Sequence, residues 1–196
     1  LKLRVRGFPG SRLDTGDLSA APGGWIAQGL EDAETSALIG AAADVILAAR
    51  ALSTYLGGGP VGVRGDSLGG GLAVIAAANA PGVISRVAIG VPSLGDWTGR
   101  LLSAAPTGAG KDAREALDRA GENQGSLRRT LRLSDAAVHA RKVHQPALCL
   151  LATRDDVVPP TGAAAIYNAL ASDPGLKRRV LIERGHAEPT RDDART

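Results

Sequence analysis

Short apolar runs alternating with helix-period segments restrict this chain more than any other feature. Residues 61–66, 87–91, 147–152 and 179–183 each read as a brief strand. Between them, apolar residues recur every three to four positions. Leu38, Ile39, Ala42, Val45, Ile46, Ala49 and Leu52 do so within a long helix predicted over residues 32–56, which Gly57-Gly58-Gly59-Pro60 stops. A small-residue helix is predicted over 68–80, and further helices over 111–120, 134–143 and 161–171, with Ser134 as the N-cap of the second of these three. Strand followed by helix over most of the length predicts an α/β fold, a mostly parallel sheet with helices on both faces. Leu1, Leu3 and Val5 alternate with basic residues and predict one more strand, ended by Gly7, Pro9 and Gly10 and followed by a long loop to about residue 30. No repeat or linker divides the chain, so residues 1–196 read as a single, partial domain.

Composition narrows the function classes. The charged residues, 22% of the chain, leave a net charge of only +3, with no basic run of the kind that tracks nucleic acid or an anionic membrane surface. The expectation is therefore no nucleic-acid and no membrane partner. The lone cysteine, Cys149, lies in an apolar run and reads as a buried thiol, which fits a reducing, cytoplasmic setting. The sequence starts at Leu1 and contains no Met, so the natural start is expected upstream.

The chemistry concentrates at Gly65-Asp66-Ser67-Leu68-Gly69, a G-x-S-x-G pattern between a predicted strand and a predicted helix. A serine on such a turn sits in strained backbone. Gly65 and Gly69, helped by Gly70 and Gly71, are expected to provide room for strand and helix to meet. The helix N-terminus aims amides at a developing oxyanion, and the Leu68 N–H is the expected donor. A serine hydroxyl needs a base and a group to orient that base, in α/β-hydrolases in the order Ser, acid, His. Asp155 and Asp156 follow the strand at 147–152, and His186 follows the last strand. A bland reading, turn residues before Pro159-Pro160, competes for both aspartates. His139 and His144 lie in or beside an amphipathic helix, read as facing solvent, and with Cys149 make at best a weak metal set, so no metal is expected. Gly108-Ala109-Gly110-Lys111 superficially suggests a phosphate loop, but Ala105 and Asp112 stand where glycine and Ser/Thr would be required, and no strand precedes it.

Several segments together resemble the acetylxylan esterase and cephalosporin C deacetylase family of α/β-hydrolases. They are Arg6-Gly7, Gly24-Trp25-Ile26 through Gly29-Leu30-Glu31-Asp32 with Glu34-Thr35, Asp44, Gly65 to Gly70, Asp155 to Pro160, and Ala165-Ile166-Tyr167-Asn168. The resemblance implies a triad of Ser67 as nucleophile, His186 as general base and Asp155, rather than Asp156, as the acid. Leu68, the segment Ser36-Ala37-Leu38-Ile39 and Ala187 depart from the family's usual Gln, tyrosine-rich run and Glu. Family members also carry early strands, an oxyanion-hole tyrosine and a second oxyanion donor that have no counterpart here. One missing strand would lie between residues 1–5 and 61–66, so a gap in the sheet is expected there. The implied activity is a cofactor-free serine esterase acting on acetylated sugars or similar small esters, in an enzyme that commonly forms homo-oligomers. Two alternatives stay open: a noncatalytic or incomplete hydrolase fragment, and another serine hydrolase such as a peptidase.

Overall fold

A computed structural model describes residues 1–8 and 24–186. The central sheet has four strands, β1 (Val61–Asp66), β2 (Ile84–Gly90), β3 (Ala147–Ala152) and β4 (Lys177–Ile182), all parallel and in the spatial order β1-β2-β3-β4. Helix α1 (Ala37–Tyr55) precedes β1, α2 (Leu68–Asn79) links β1 to β2, and α7 (Pro160–Ala169) links β3 to β4. The long connection from β2 to β3 holds α3 (Trp97–Leu102), α4 (Gly108–Ala120), α5 (Gln124–Leu133) and α6 (Ala136–Ala140).

The helices that touch the strands are α1, α2 and α7. Helix α2 lies on β1 and β2, α7 lies on β3, α6 bridges α2 and α7, and α1 packs against α2 and touches β1. Leu38, Leu72, Val74, Ile84, Cys149 and Ile166 fill the resulting core and are fully buried. On the opposite face Gly62, Arg64, Arg86, Leu148, Arg178 and Val180 are exposed. The α/β architecture is as expected, but coverage of both faces is not found among the described residues. The reason is chirality: right-handed crossovers that always step the same way across a parallel sheet place the helices that pack on the strands, α2 and α7, on the same side.

Residues 1–5 form no strand. They run along the far wall of a groove of about 940 Å³ whose other wall is β1 and whose floor includes Val45, Ala49 and Leu52 of α1. Alternation marks a segment fit for pairing, but pairing needs a neighbour about 4.8 Å away, and the groove lies where the gap was expected. Arg6 nevertheless docks this segment. Its backbone N–H and Nε donate to Asp44 Oδ2 at 3.1 and 3.0 Å, and Nη2 donates to Oδ1 at 2.6 Å. Gly40 leaves the room, because a Cβ there would stand 2.7 Å from the guanidinium. Burial pushes the Asp44 carboxyl up, but the Arg6 hydrogen bonds and charge together outweigh it and hold the group below the usual carboxylate range.

Several element boundaries move. Helix α1 begins at Ala37 rather than near residue 32, because the Ser36 hydroxyl caps it by accepting from the Ile39 N–H. Its length and apolar composition would suffice to cross a membrane, yet it is docked on α2 and carries Asp44 in the Arg6 ion pair. Strand β2 starts at Ile84, α4 at Gly108, α7 at Pro160 and β4 at Lys177. Ser134 is no N-cap. It closes α5 by donating to the carbonyls of Thr130 and Leu131, and Asp135 caps the much shorter α6. Helices α3 and α5 add to the elements read from sequence. Of the long loop expected to about residue 30, residues 9–23 fall outside the described residues, as does the polar stretch 187–196 with Ala187, and the described part holds a 3-10 turn at Trp25–Ala27.

Candidate active site

The C-terminal ends of β1, β3 and β4 converge on one rim, the usual place for chemistry in a parallel α/β sheet. Ser67 follows β1 directly, at φ 53° and ψ −119°. A non-glycine residue there is strained, and the surrounding backbone must hold it. The Ser67 N–H donates to the Gly90 carbonyl at 2.8 Å, and the Ser67 carbonyl accepts from Gly70, Gly71 and Ser93 at 3.0, 3.2 and 2.9 Å. A Cβ on Gly65 would overlap the Gly69 carbonyl, one on Gly71 would overlap the Ser93 carbonyl, and one on Gly70 would stand 3.1 Å from Pro92. Gly69 has no neighbour within 4 Å of such a Cβ, so it is not among the glycines that make the turn possible.

Asp155 leaves β3 and turns inward. Its Oδ1 accepts from the N–H groups of Val157 and Val158 at 3.0 and 2.7 Å, which fixes the carboxylate as part of its own loop. Its Oδ2 lies 2.7 Å from His186 Nδ1. Asp156 is exposed while the Asp155 side chain is 2% exposed, so the two adjacent aspartates separate cleanly. His186 Nε2 lies 3.0 Å from Ser67 Oγ. A carboxylate accepts only, so the proton of the neutral ring belongs on Nδ1 and Nε2 is left to accept from the serine hydroxyl. The loops carrying acid and histidine are tied together: Thr153 N–H donates to the Ile182 carbonyl at 2.9 Å and Arg154 N–H to the Arg184 carbonyl at 3.1 Å. Arg154 also pairs with Glu183.

Leu68 occupies the first position of α2, where a backbone N–H has no partner inside the helix and a helix N-terminus favours negative charge. Ser67, Leu68, Asp155 and His186 thus come together at one rim. The remaining candidates do not. Cys149 is fully buried in β3 and its thiol is pushed up to about 12 by burial, which keeps it protonated. His139 is half-buried rather than solvent-facing, with Nδ1 3.1 Å from Asn79 Nδ2 and Nε2 2.8 Å from the Leu133 carbonyl, while His144 is exposed. Among the described residues no cluster of His, Cys, Asp and Glu could hold a metal ion. Gly108 starts α4 against the acid loop, beside the hydrogen bond from Thr107 Oγ1 to the Val157 carbonyl, and no strand leads into it.

Sequence reading missed the loop between β2 and α3. Val91, Leu94 and Asp96 there all have positive φ, at 39°, 65° and 56°, and the loop props the nucleophile turn through Ser93. No local residue pattern announces it, because the strain is imposed by packing against Gly70 and Gly71.

Comparison with known proteins fits this geometry. The family model for acetyl xylan esterase (AXE1) matches residues 1–190. Among solved structures, an acetyl xylan esterase from Paenibacillus sp. R4 is similar with a TM-score of 0.70 at 24% identity, over 85% of this chain and 53% of that one. Acetyl xylan esterase 1 from Thermoanaerobacterium sp. JW/SL YS485 gives a TM-score of 0.75 at 25% identity, over 88% and 55%. A monoacylglycerol lipase from Paleococcus ferrophilus shares the fold at a TM-score of 0.51 and 19% identity, over 74% and 66%. The chain spans about half the length of the two acetyl xylan esterases. A search of curated proteins gives no match.

Proposed function

This chain belongs to the acetyl xylan esterase family, and from that premise we propose that it is a serine esterase removing acetyl groups from acetylated carbohydrates or similar small esters. The observation that carries the reading is the unbroken hydrogen-bond chain from Ser67 Oγ through His186 to Asp155. Ser67 Oγ attacks the acetyl carbonyl carbon while His186 Nε2 takes the hydroxyl proton. Asp155 holds the ring in the required tautomer and balances the imidazolium that forms. The Leu68 N–H donates to the oxyanion of the tetrahedral intermediate. When that intermediate collapses, the sugar oxygen leaves with the proton from His186, and the acetyl group remains on Ser67. Water then attacks the acetyl-serine ester as His186 takes one of its protons. Acetate departs, and Ser67 regains its hydrogen. No step calls for a metal or an organic cofactor, and the partner is the acetylated small molecule itself.

A second reading, a noncatalytic form of the fold, draws on the groove beside β1. Ser67 and Leu68 border that open space on the side away from His186. Loss of a single oxyanion donor costs about 10²- to 10³-fold in rate, so this side decides how fast the chain turns over.

Hydrolysis of 4-nitrophenyl acetate, butyrate and octanoate, alongside acetate release from acetylated xylo-oligosaccharides, tests the proposal. The expected outcome is the highest kcat/KM on acetyl esters and no rate above background for Ser67→Ala. A rate rising with acyl length, or a Ser67→Ala variant as active as the parent, contradicts it. So does a folded protein that cleaves none of these esters.

A further inference from the structure

Thr107 stands at the N-cap of α4, where a threonine hydroxyl ordinarily accepts from an N–H of the first helical turn. Here it makes no such bond. Its Oγ1 donates instead, at 3.0 Å, to the Val157 carbonyl in the loop between β3 and α7. Gly108 leaves room for this approach. It has φ +48°, and a Cβ there would stand 2.9 Å from the same carbonyl oxygen and 3.1 Å from Val157 Cγ1. Two successive residues at the start of α4 are thus fitted to one residue of the acid loop.

That residue also holds the acid. The Val157 N–H donates to Asp155 Oδ1 at 3.0 Å, and the Val158 N–H donates to the same oxygen at 2.7 Å. Asp155 Oδ2 lies 2.7 Å from His186 Nδ1, and His186 Nε2 lies 3.0 Å from Ser67 Oγ. A line of contacts therefore runs from Thr107 through Val157 and Asp155 to His186 and Ser67. Its outer end is well anchored. Helix α4 buries Gly110, Ala113, Ala116 and Leu117 and packs on α3, α5 and the 3-10 turn at Trp25–Ala27. The middle of the acid loop is not, since Asp156 is exposed and Val157 is 38% exposed. Exposed loop backbone opens easily unless something outside the loop ties it. The bonds to Asp155 fix the carboxylate to its loop, and the Thr107 bond fixes the loop to α4. We propose that Thr107 is a positioning residue, whose hydroxyl pins Val157, and with it the Asp155 carboxylate, where Asp155 can orient His186. This inference rests on the triad reading above. It gives the helices between β2 and β3 a task at the site.

The test removes the donor and keeps the shape. In the full chain, Thr107→Val puts a methyl where the hydroxyl was, on an extended backbone that suits a β-branched residue, and Thr107→Ser keeps the hydroxyl. Two quantities are measured: the second-order rate constant with which a fluorophosphonate labels Ser67, and the hydrogen exchange of the Val157 and Val158 amides by NMR. A neutral hydrogen bond is worth about three- to tenfold in an equilibrium. Thr107→Val should slow labelling and speed the exchange of both amides by about that factor, while the amides of β2 keep the parent's rates. Thr107→Ser should stay within about twofold of the parent in both. Should Thr107→Val fail to fold, Thr107→Ala removes the same donor with less bulk. A valine variant that labels at the parent's rate overturns the inference, as does a serine variant as impaired as the valine one, or exchange quickened throughout the protein. A folded parent that takes no label defeats the triad reading instead, and the exchange of Val157 and Val158 then still decides whether Thr107 holds the acid loop.

Discussion

The two flanks of Ser67 are built differently. On one flank, Asp155 and His186 sit on loops laced by backbone hydrogen bonds between the ends of β3 and β4, with the acid buried and bonded by its own loop. On the other flank, the outer edge of β1 faces a groove that the start of α2 borders with Leu68. In the proposed mechanism the proton-handling groups therefore all lie on the first flank, whereas the oxyanion donor is assigned to one helix terminus. Substitutions on the relay flank should act on turnover, and substitutions in the Arg6–Asp44 dock on the groove's far wall should act on stability.

The largest expected effect lies on the relay flank. Asp155→Asn puts an amide where only an acceptor works and favours the wrong ring tautomer, which should lower kcat by about 10⁴-fold. Exposed Asp156→Asn should cost no more than a few-fold. Steady-state kinetics of the pair checks this, and a reversed order moves the acid to Asp156 and breaks the contrast between the flanks.

Next comes the turn that joins them. Gly65→Ala drives a methyl into the Gly69 carbonyl and should cost about 1–3 kcal/mol in urea unfolding. Gly69→Ala meets open space on a helix and should be neutral or stabilise by up to about 1 kcal/mol. Equal effects of the two would mean that the turn is not packed as described.

A smaller effect belongs to the groove's far wall. Asp44→Asn weakens the Arg6 dock and should cost about 1 kcal/mol, since Arg6 is partly exposed. The folded-state carboxyl of Asp44 is held below its unfolded value, so its contribution is fully present above the unfolded pKa of about 4 and fades as pH falls through the lower folded value. The asparagine variant should lose that part of the acid dependence, measurable as a flatter stability curve between about pH 2 and 5.

How much of this was legible in the sequence varies with the range of the forces involved. Ser67 stood out because G-x-S-x-G names both a strand end and a helix start; Asp155 and Asp156 together stood out because they follow an apolar run, and the resemblance around Pro159-Pro160 selected Asp155. The sequence reading put helices on both faces because chain order does not state the spatial order of the strands; with the order β1-β2-β3-β4, right-handed crossovers that step the same way carry their helices to one face. The N-terminal strand was misread because alternation at Leu1, Leu3 and Val5 states what could pair, not what stands beside it. Helix α5 does carry Leu127 and Leu131 four residues apart, a weak apolar stripe among arginines. The loop from Val91 to Asp96 left no local mark at all, because long-range contacts impose it.

The central claim, that Ser67 is the nucleophile of a complete relay, is tested most directly by covalent labelling. A fluorophosphonate probe reacts with an activated serine without needing the second oxyanion donor that fast turnover demands. Incubation of the folded chain followed by peptide mass spectrometry should find the label on Ser67 alone, and His186→Ala should abolish it. Label on another serine, or a folded chain that takes up none, would contradict the account.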